Sequence, residues 1–144
     1  MFKNTIPKLL LITLLVYSPT SFSSKTLSSL ESFEWSNRII LIRENSDCKK
    51  TVARLKQAKV DLDERHIFWF VLCKEKHLIS NFTGVISTKL SNRVTEKHFS
   101  NQKHNIVLIG KDGGIKYRAQ KFKLNEINTL IDSMPMRQIE MREN

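Results

Sequence analysis

The feature that most restricts how this chain can fold is an unbroken apolar run, Ile106-Val107-Leu108-Ile109, followed at once by Gly110-Lys111-Asp112-Gly113-Gly114 and then by Ile115-Lys116-Tyr117-Arg118. A run without polar interruption suits a strand covered on both faces, while the alternation after it suits a strand with one face in solvent. Asp112-Gly113-Gly114 supplies residues that tolerate a positive φ where the chain must reverse. The stretch therefore predicts a hairpin whose first arm is buried.

Two further apolar runs give the hairpin something to pair with. Arg38–Arg43 reads as a buried strand closed by charges, and residues 67–73, rich in aromatic and β-branched side chains, read as a second. Between them Ser46 or Asp47 can cap a helix that starts near Cys48. Val52, Leu55, Ala58 and Leu62 would line its inner face, with Lys49, Lys50, Arg54 and Lys56 elsewhere. Strand, helix and strand of these lengths make a right-handed crossover with the two strands parallel.

The rest of the chain is read by the same rules. Leu27, Leu30 and Phe33 recur at threes and predict a helical turn, after which Trp35 is expected to plug the core. Residues 74–86 read as a loop with a short irregular strand, and Asn81-Phe82-Thr83 within it as a chance match to a glycosylation acceptor. Ser87 or Thr88 should cap a helix running to about Phe99, with Leu90 and Val94 inward. A last helix is expected from its cap, Asn125, to Met134, where Pro135 stops it. Strand-helix-strand, helix, hairpin, helix is the order of a thioredoxin-like α/β domain, with a central mixed sheet, a C-terminal hairpin and flanking helices.

Residues 1–23 read as a secretory signal. Lys3 and Lys8 form a positive start, the apolar stretch from Leu9 to Tyr17 follows, and Ser21-Phe22-Ser23 offers small residues for cleavage. That stretch falls short of the roughly 20 residues a membrane span needs, so stable membrane insertion is not expected. The expected mature domain, residues 24–144, is exported to a periplasmic or extracellular space. The whole chain has 24 basic and 14 acidic residues; without Lys3 and Lys8 the balance is 22 − 14 = +8. Such a surface favours an anionic envelope component or an acidic protein as partner. Lys and Arg are spread along the chain with no dense tract, which argues against specific nucleic-acid recognition and equally suits a plain soluble basic surface.

Gly110-Lys111-Asp112-Gly113-Gly114, then Asp132, Met134-Pro135-Met136-Arg137 and Glu140-Met141-Arg142, together with Leu27, Leu30, Phe33, Trp35 and Asn37-Arg38, resemble the motifs of a family of domains of unknown function. That family is held to be thioredoxin-like, closest to peroxiredoxins, and occurs in bacterial exported proteins and animal extracellular matrix proteins. The resemblance implies a fold and an exported setting; it implies no settled activity.

Chemistry is sought first at Cys48 and Cys73, each at or just past the end of one of two adjacent parallel strands. In an oxidising compartment they can form a structural disulfide, stabilising by roughly 3 kcal/mol in the chain-entropy model. Alternatively Cys48, at a helix start beside Lys49 and Lys50, is a reactive thiol with Cys73 as its resolving partner. Against that, Cys48-Lys49-Lys50-Thr51 lacks the second cysteine of a Cys-x-x-Cys site, and Asn45 stands where a peroxiredoxin carries Thr. Cys48, Cys73 and His77 would also make a poor soft-metal set, because ligand number and spacing are both deficient; no metal or cofactor is expected. Gly110-Lys111-Asp112-Gly113-Gly114 lacks the Lys-Ser/Thr pair and the strand-loop-helix setting of a phosphate loop. Asp132 and Arg137 flank Pro135 and predict a local ion pair or a helix cap.

Overall fold

The computed structural model describes residues 25–74 and 77–143. The signal expected at residues 1–23 lies outside the described residues.

Three apolar runs become the middle of one mixed sheet. Strands β2 (Arg38–Arg43), β3 (Ile67–Leu72), β4 (Leu78–Ser80), β6 (Ile106–Ile109) and β7 (Ile115–Ala119) form it in the order β4-β3-β2-β6-β7. β2 and β3 run parallel, Arg38 opposite Ile67 and Arg43 opposite Leu72, as the crossover predicted. β6 is antiparallel to β2, and β7 to β6, with a bulge between Leu108 and Ile109. Because β2, β3 and β6 are interior, their side chains are buried on both faces, which is why they carry no polar alternation.

Period-2 alternation then divides the core in two. Ile40, Ile42, Trp69, Val71, Ile106 and Leu108 face one layer of helices: α1 (Cys48–Gln57), α2 (Lys59–Glu64) and α4 (Leu124–Asp132), which contribute Val52, Leu55, Leu62, Ile127 and Ile131. Ile39, Leu41, Phe70, Leu72, Val107 and Ile109 face α3 (Thr88–Phe99), which contributes Leu90, Val94 and Phe99. α1 is capped by Asp47, whose carboxylate accepts from the Lys50 amide at 3.0 Å. α3 is capped by Ser87, accepting from the Leu90 amide at 3.3 Å.

Five local expectations need correction. The first segment is not a helical turn throughout. β1 (Thr26–Leu27) pairs in parallel with β5 (Val85–Ile86), and only Glu31–Phe33 is helical, as one 3-10 turn. Trp35 does not plug the core: it is 70% exposed with φ of 65°. Its amide donates to the Lys111 carbonyl at 2.6 Å, and the left-handed backbone throws the indole outward. Phe33 takes the inner place instead, with ring centroids 4.6 Å from Phe68, 6.0 Å from Phe70 and 6.1 Å from Phe82.

Residues 74–86 carry two short strands, β4 and β5, where one irregular strand was expected. At the other end α4 starts at Leu124, with Lys123 in the N-cap position and no side-chain cap, so Asn125 lies inside the helix, and Pro135 ends nothing further. It is the first residue of a helix, α5 (Pro135–Glu143), a position where its missing N–H would have had no partner in any case.

Candidate functional site

The sequence pointed to two groups of residues, and they lie at opposite ends of the sheet. The first is at the carboxyl ends of β2 and β3. Register places these ends side by side, and Cys48 opens α1 just beyond one while Cys73 follows the other. The two are joined as a disulfide, with Cα atoms 5.9 Å apart, in the ordinary range for such a bond. Both residues are half-buried and pack on the α1 side of the core.

The loops around the disulfide are tied down by the backbone. The Glu44 amide donates to the Leu72 carbonyl at 3.0 Å, and the Cys73 amide to the His77 carbonyl at 2.9 Å. Burial raises the Glu44 carboxyl, but hydrogen bonds from Ser46 and Thr51 outweigh it and hold its pKa at about 2. A carboxylate thus stays charged in the loop that leads into Cys48. With each sulfur bonded to the other, neither is a thiolate ligand, so the soft-metal set with His77 is not assembled. Among the described residues no trio of His, Cys, Asp or Glu side chains is gathered as a metal site.

The second group is at the amino ends of the same strands, the length of β2 away, roughly 20 Å at ~3.3 Å per residue. Here Arg38 and Arg137, each 1% exposed, are buried among carboxylates. The Arg38 guanidinium grips Glu140 with both Nη atoms, at 3.1 and 3.2 Å, and donates to the Arg65 carbonyl at 2.9 Å. Lys111 Nζ reaches the same Glu140 carboxylate at 2.7 Å and His66 Nδ1 at 2.9 Å. Arg137 donates to the Glu64 carbonyl and carboxylate at 2.9 and 2.7 Å, and to Asp132 at 3.3 Å. Arg65 closes the ring on Asp132 at 2.7 and 3.0 Å.

Burial raises Glu140, yet Arg38 and Lys111 more than reverse it, bringing its pKa to about 2. Burial likewise raises Asp132, and Arg65 and Arg137 turn the net shift downward. The Asp132–Arg137 pair expected across Pro135 is therefore present, as one edge of a larger network. Because α5 supplies Arg137 and Glu140, the network ties the last helix to the end of the sheet where β2 begins.

The remaining motif residues do other work. Gly110, Asp112, Gly113 and Gly114 shape the hairpin turn. The Asp112 carboxyl accepts from the Gly114 amide at 3.1 Å and from Lys116 at 2.6 Å, the Lys116 bond being the main reason its pKa is lowered. Gly113 sits at φ of 75°, and a Cβ there would lie 2.7 Å from the Glu34 carboxylate. Met134 is half-buried against the α4 layer, and Met136 is 39% exposed on the surface.

Glu64, Arg65 and His66 were not read as part of any site. Their one sequence signal is position, since they immediately precede β3 as Arg38 opens β2, so their charges fall at one end of the sheet.

Among the described residues no helix is long and apolar enough to cross a membrane. No curated protein and no solved structure matches the chain. A family model described as "Domain of unknown function (DUF4174)" matches residues 29–140. That span takes in the disulfide, the hairpin turn and the ion network as far as Glu140, and on it the chain belongs to the DUF4174 family.

Proposed function

We propose that this is an exported, thioredoxin-like binding domain without catalytic chemistry of its own, in which Cys48–Cys73 is a fixed brace and the basic surface meets an anionic or acidic protein partner. The thioredoxin-like reading is supported by the parallel β2-α1-β3 crossover and by the antiparallel β6–β7 hairpin beside β2. Export fits a protein whose two cysteines are bonded to each other, since such bonds persist in oxidising compartments.

The observation that carries the brace is the setting of the sulfurs, half-buried on the apolar layer under α1 and held between two hydrogen-bonded loops. A catalytic pair must open and close; this one closes a loop across 25 positions of chain. Its loss should cost roughly 3 kcal/mol in the chain-entropy model.

A second reading, a thiol oxidoreductase or peroxidase, is favoured by one feature: Cys48 is the first residue of α1, where the helix dipole would stabilise a thiolate. Cys48 would then attack peroxide and Cys73 would displace water from the resulting sulfenic acid. Peroxide consumption with a thiol reductant, measured on the wild type and on Cys48→Ser, separates the two. The brace predicts the same negligible rate for both. Rapid consumption that vanishes in Cys48→Ser would establish the thiol enzyme.

A further inference from the structure

We infer that the face of the sheet beneath α3 holds a binding groove for an amphipathic anion, a free long-chain carboxylate whose aliphatic body lies along the sheet and whose head group is met by Lys97, Lys103 and Arg118. The inference rests on the binding-domain reading above and names the ligand class for it.

Two neighbouring cavities make the groove, and they share the Lys97–His98 wall of α3. The larger has a volume of about 480 Å³, and its apolar lining comes from Leu30, Ile39, Leu90, Val94, Ile109 and Ile115. That size and character are those of a small-molecule pocket. The smaller, about 300 Å³, is lined by Lys97, Lys103 and Arg118 with His98, His104, Ser100 and Asn101, and by no acid. Lys97, Lys103 and Arg118 have no ion-pair partner among the described residues. The buried cations Arg38, Lys111 and Arg137 are matched by carboxylates, whereas these three exposed cations are not.

A second observation comes from His98 itself. It is 7% exposed, it lines both cavities, and its Nδ1 has no hydrogen-bond partner among the described residues. His104 holds it from behind, donating from Nε2 to the His98 carbonyl at 2.8 Å. Burial first, then the charges of Lys97, Arg118 and His104, push the His98 pKa down to about 4. An orphaned polar atom in such a place is the exception in native proteins and calls for a partner.

Charge also sets the direction of the ligand. Glu31, Glu34 and Glu96 line the larger cavity, with Arg93 and Lys97 as its cations, whereas the smaller cavity has cations and no acid. An anionic head is favoured in the smaller cavity over the larger. The apolar lining of the larger excludes a bare oxyanion as the whole ligand.

The test is a titration of the full mature protein with decanoate, followed by amide NMR shifts, with acetate and decyltrimethylammonium as controls. Decanoate should saturate, moving Val94, His98, Ile115 and Arg118 together. Acetate, which has the head alone, and decyltrimethylammonium, which has the tail with the opposite charge, should bind at least about tenfold more weakly. Arg118→Ala and Lys103→Ala change exposed side chains, so they should fold normally and weaken decanoate by about tenfold. Equal binding of the two tailed ligands, no effect of Arg118→Ala, or binding only to vesicles of anionic lipid would each overturn the proposal. Peroxide assays on the same samples keep the two readings apart: absent decanoate binding with no thiol activity removes the ligand class alone, whereas thiol turnover removes the binding-domain reading beneath it.

Discussion

Glu140 is the residue on which the far end of the molecule converges, because one carboxylate answers both Arg38 and Lys111. Glu140→Gln would leave buried cations without their charge partner, and loss of one member of a buried pair costs about 3–5 kcal/mol. Urea unfolding should show a midpoint shift of that order with an unchanged slope. The pH dependence has a definite sign. Glu140 is lowered from 4.5 to about 2 in the folded state, so its contribution is complete above pH 4.5 and disappears as pH falls towards 2. Glu44 acts in the same direction, so the diagnostic is a difference: acid unfolding of Glu140→Gln should lose part of the pH slope between 4.5 and 2 that the wild type shows. Gly113→Ala should cost about 1–2 kcal/mol in thermal unfolding, since a Cβ at φ of 75° is strained and also meets Glu34. The two cysteines were legible as a pair because each sits at the end of an apolar run, and such runs can be read locally. The Arg38–Glu140 pair was not, since its partners are 102 positions apart and charge carries no period. Trp35 misled for a related reason: hydrophobicity predicts burial, but here a backbone hydrogen bond to Lys111 decides where the indole points.

At the scale of elements, the strands were the most readable parts and the ends of helices the least. β2, β3 and β6 are mostly continuous apolar runs with no competing helical period, so type follows and the boundaries follow to within one residue, β3 ending at Leu72 rather than Cys73. α3 was readable to its cap, and Ser87→Ala should remove the bond to the Leu90 amide at a cost of about 1 kcal/mol, measured by chemical denaturation. Pro135 shows where local signals become ambiguous. A proline that cannot continue one helix is equally suited to begin another, and here it begins α5, whose Arg137 and Glu140 enter the ion network. β1 and β5 were illegible for the opposite reason. Two residues of strand carry no measurable alternation, and their pairing depends on Gly84, where a Cβ would collide with the Lys25 carbonyl at 2.1 Å.

The whole molecule is a sheet pinned at both ends by different chemistry, a covalent link where β2 and β3 finish and a charge network where they begin. The two are separated by the core, so substitutions at one should add to substitutions at the other. The architecture was largely legible because three buried runs and a Gly-rich turn constrain the sheet strongly. The site was half legible, since the bonded pair could be placed from strand ends while the acid-free pocket depends on α3, the loop after it and β7 meeting in space. The measurement that bears most directly on the account is the reduction potential of Cys48–Cys73 in the mature protein, followed by thiol alkylation and mass spectrometry across glutathione and dithiothreitol buffers. A fixed brace predicts a potential below about −300 mV, with the bond intact throughout the glutathione range. A value between about −270 and −120 mV, where catalytic dithiols operate, would contradict it.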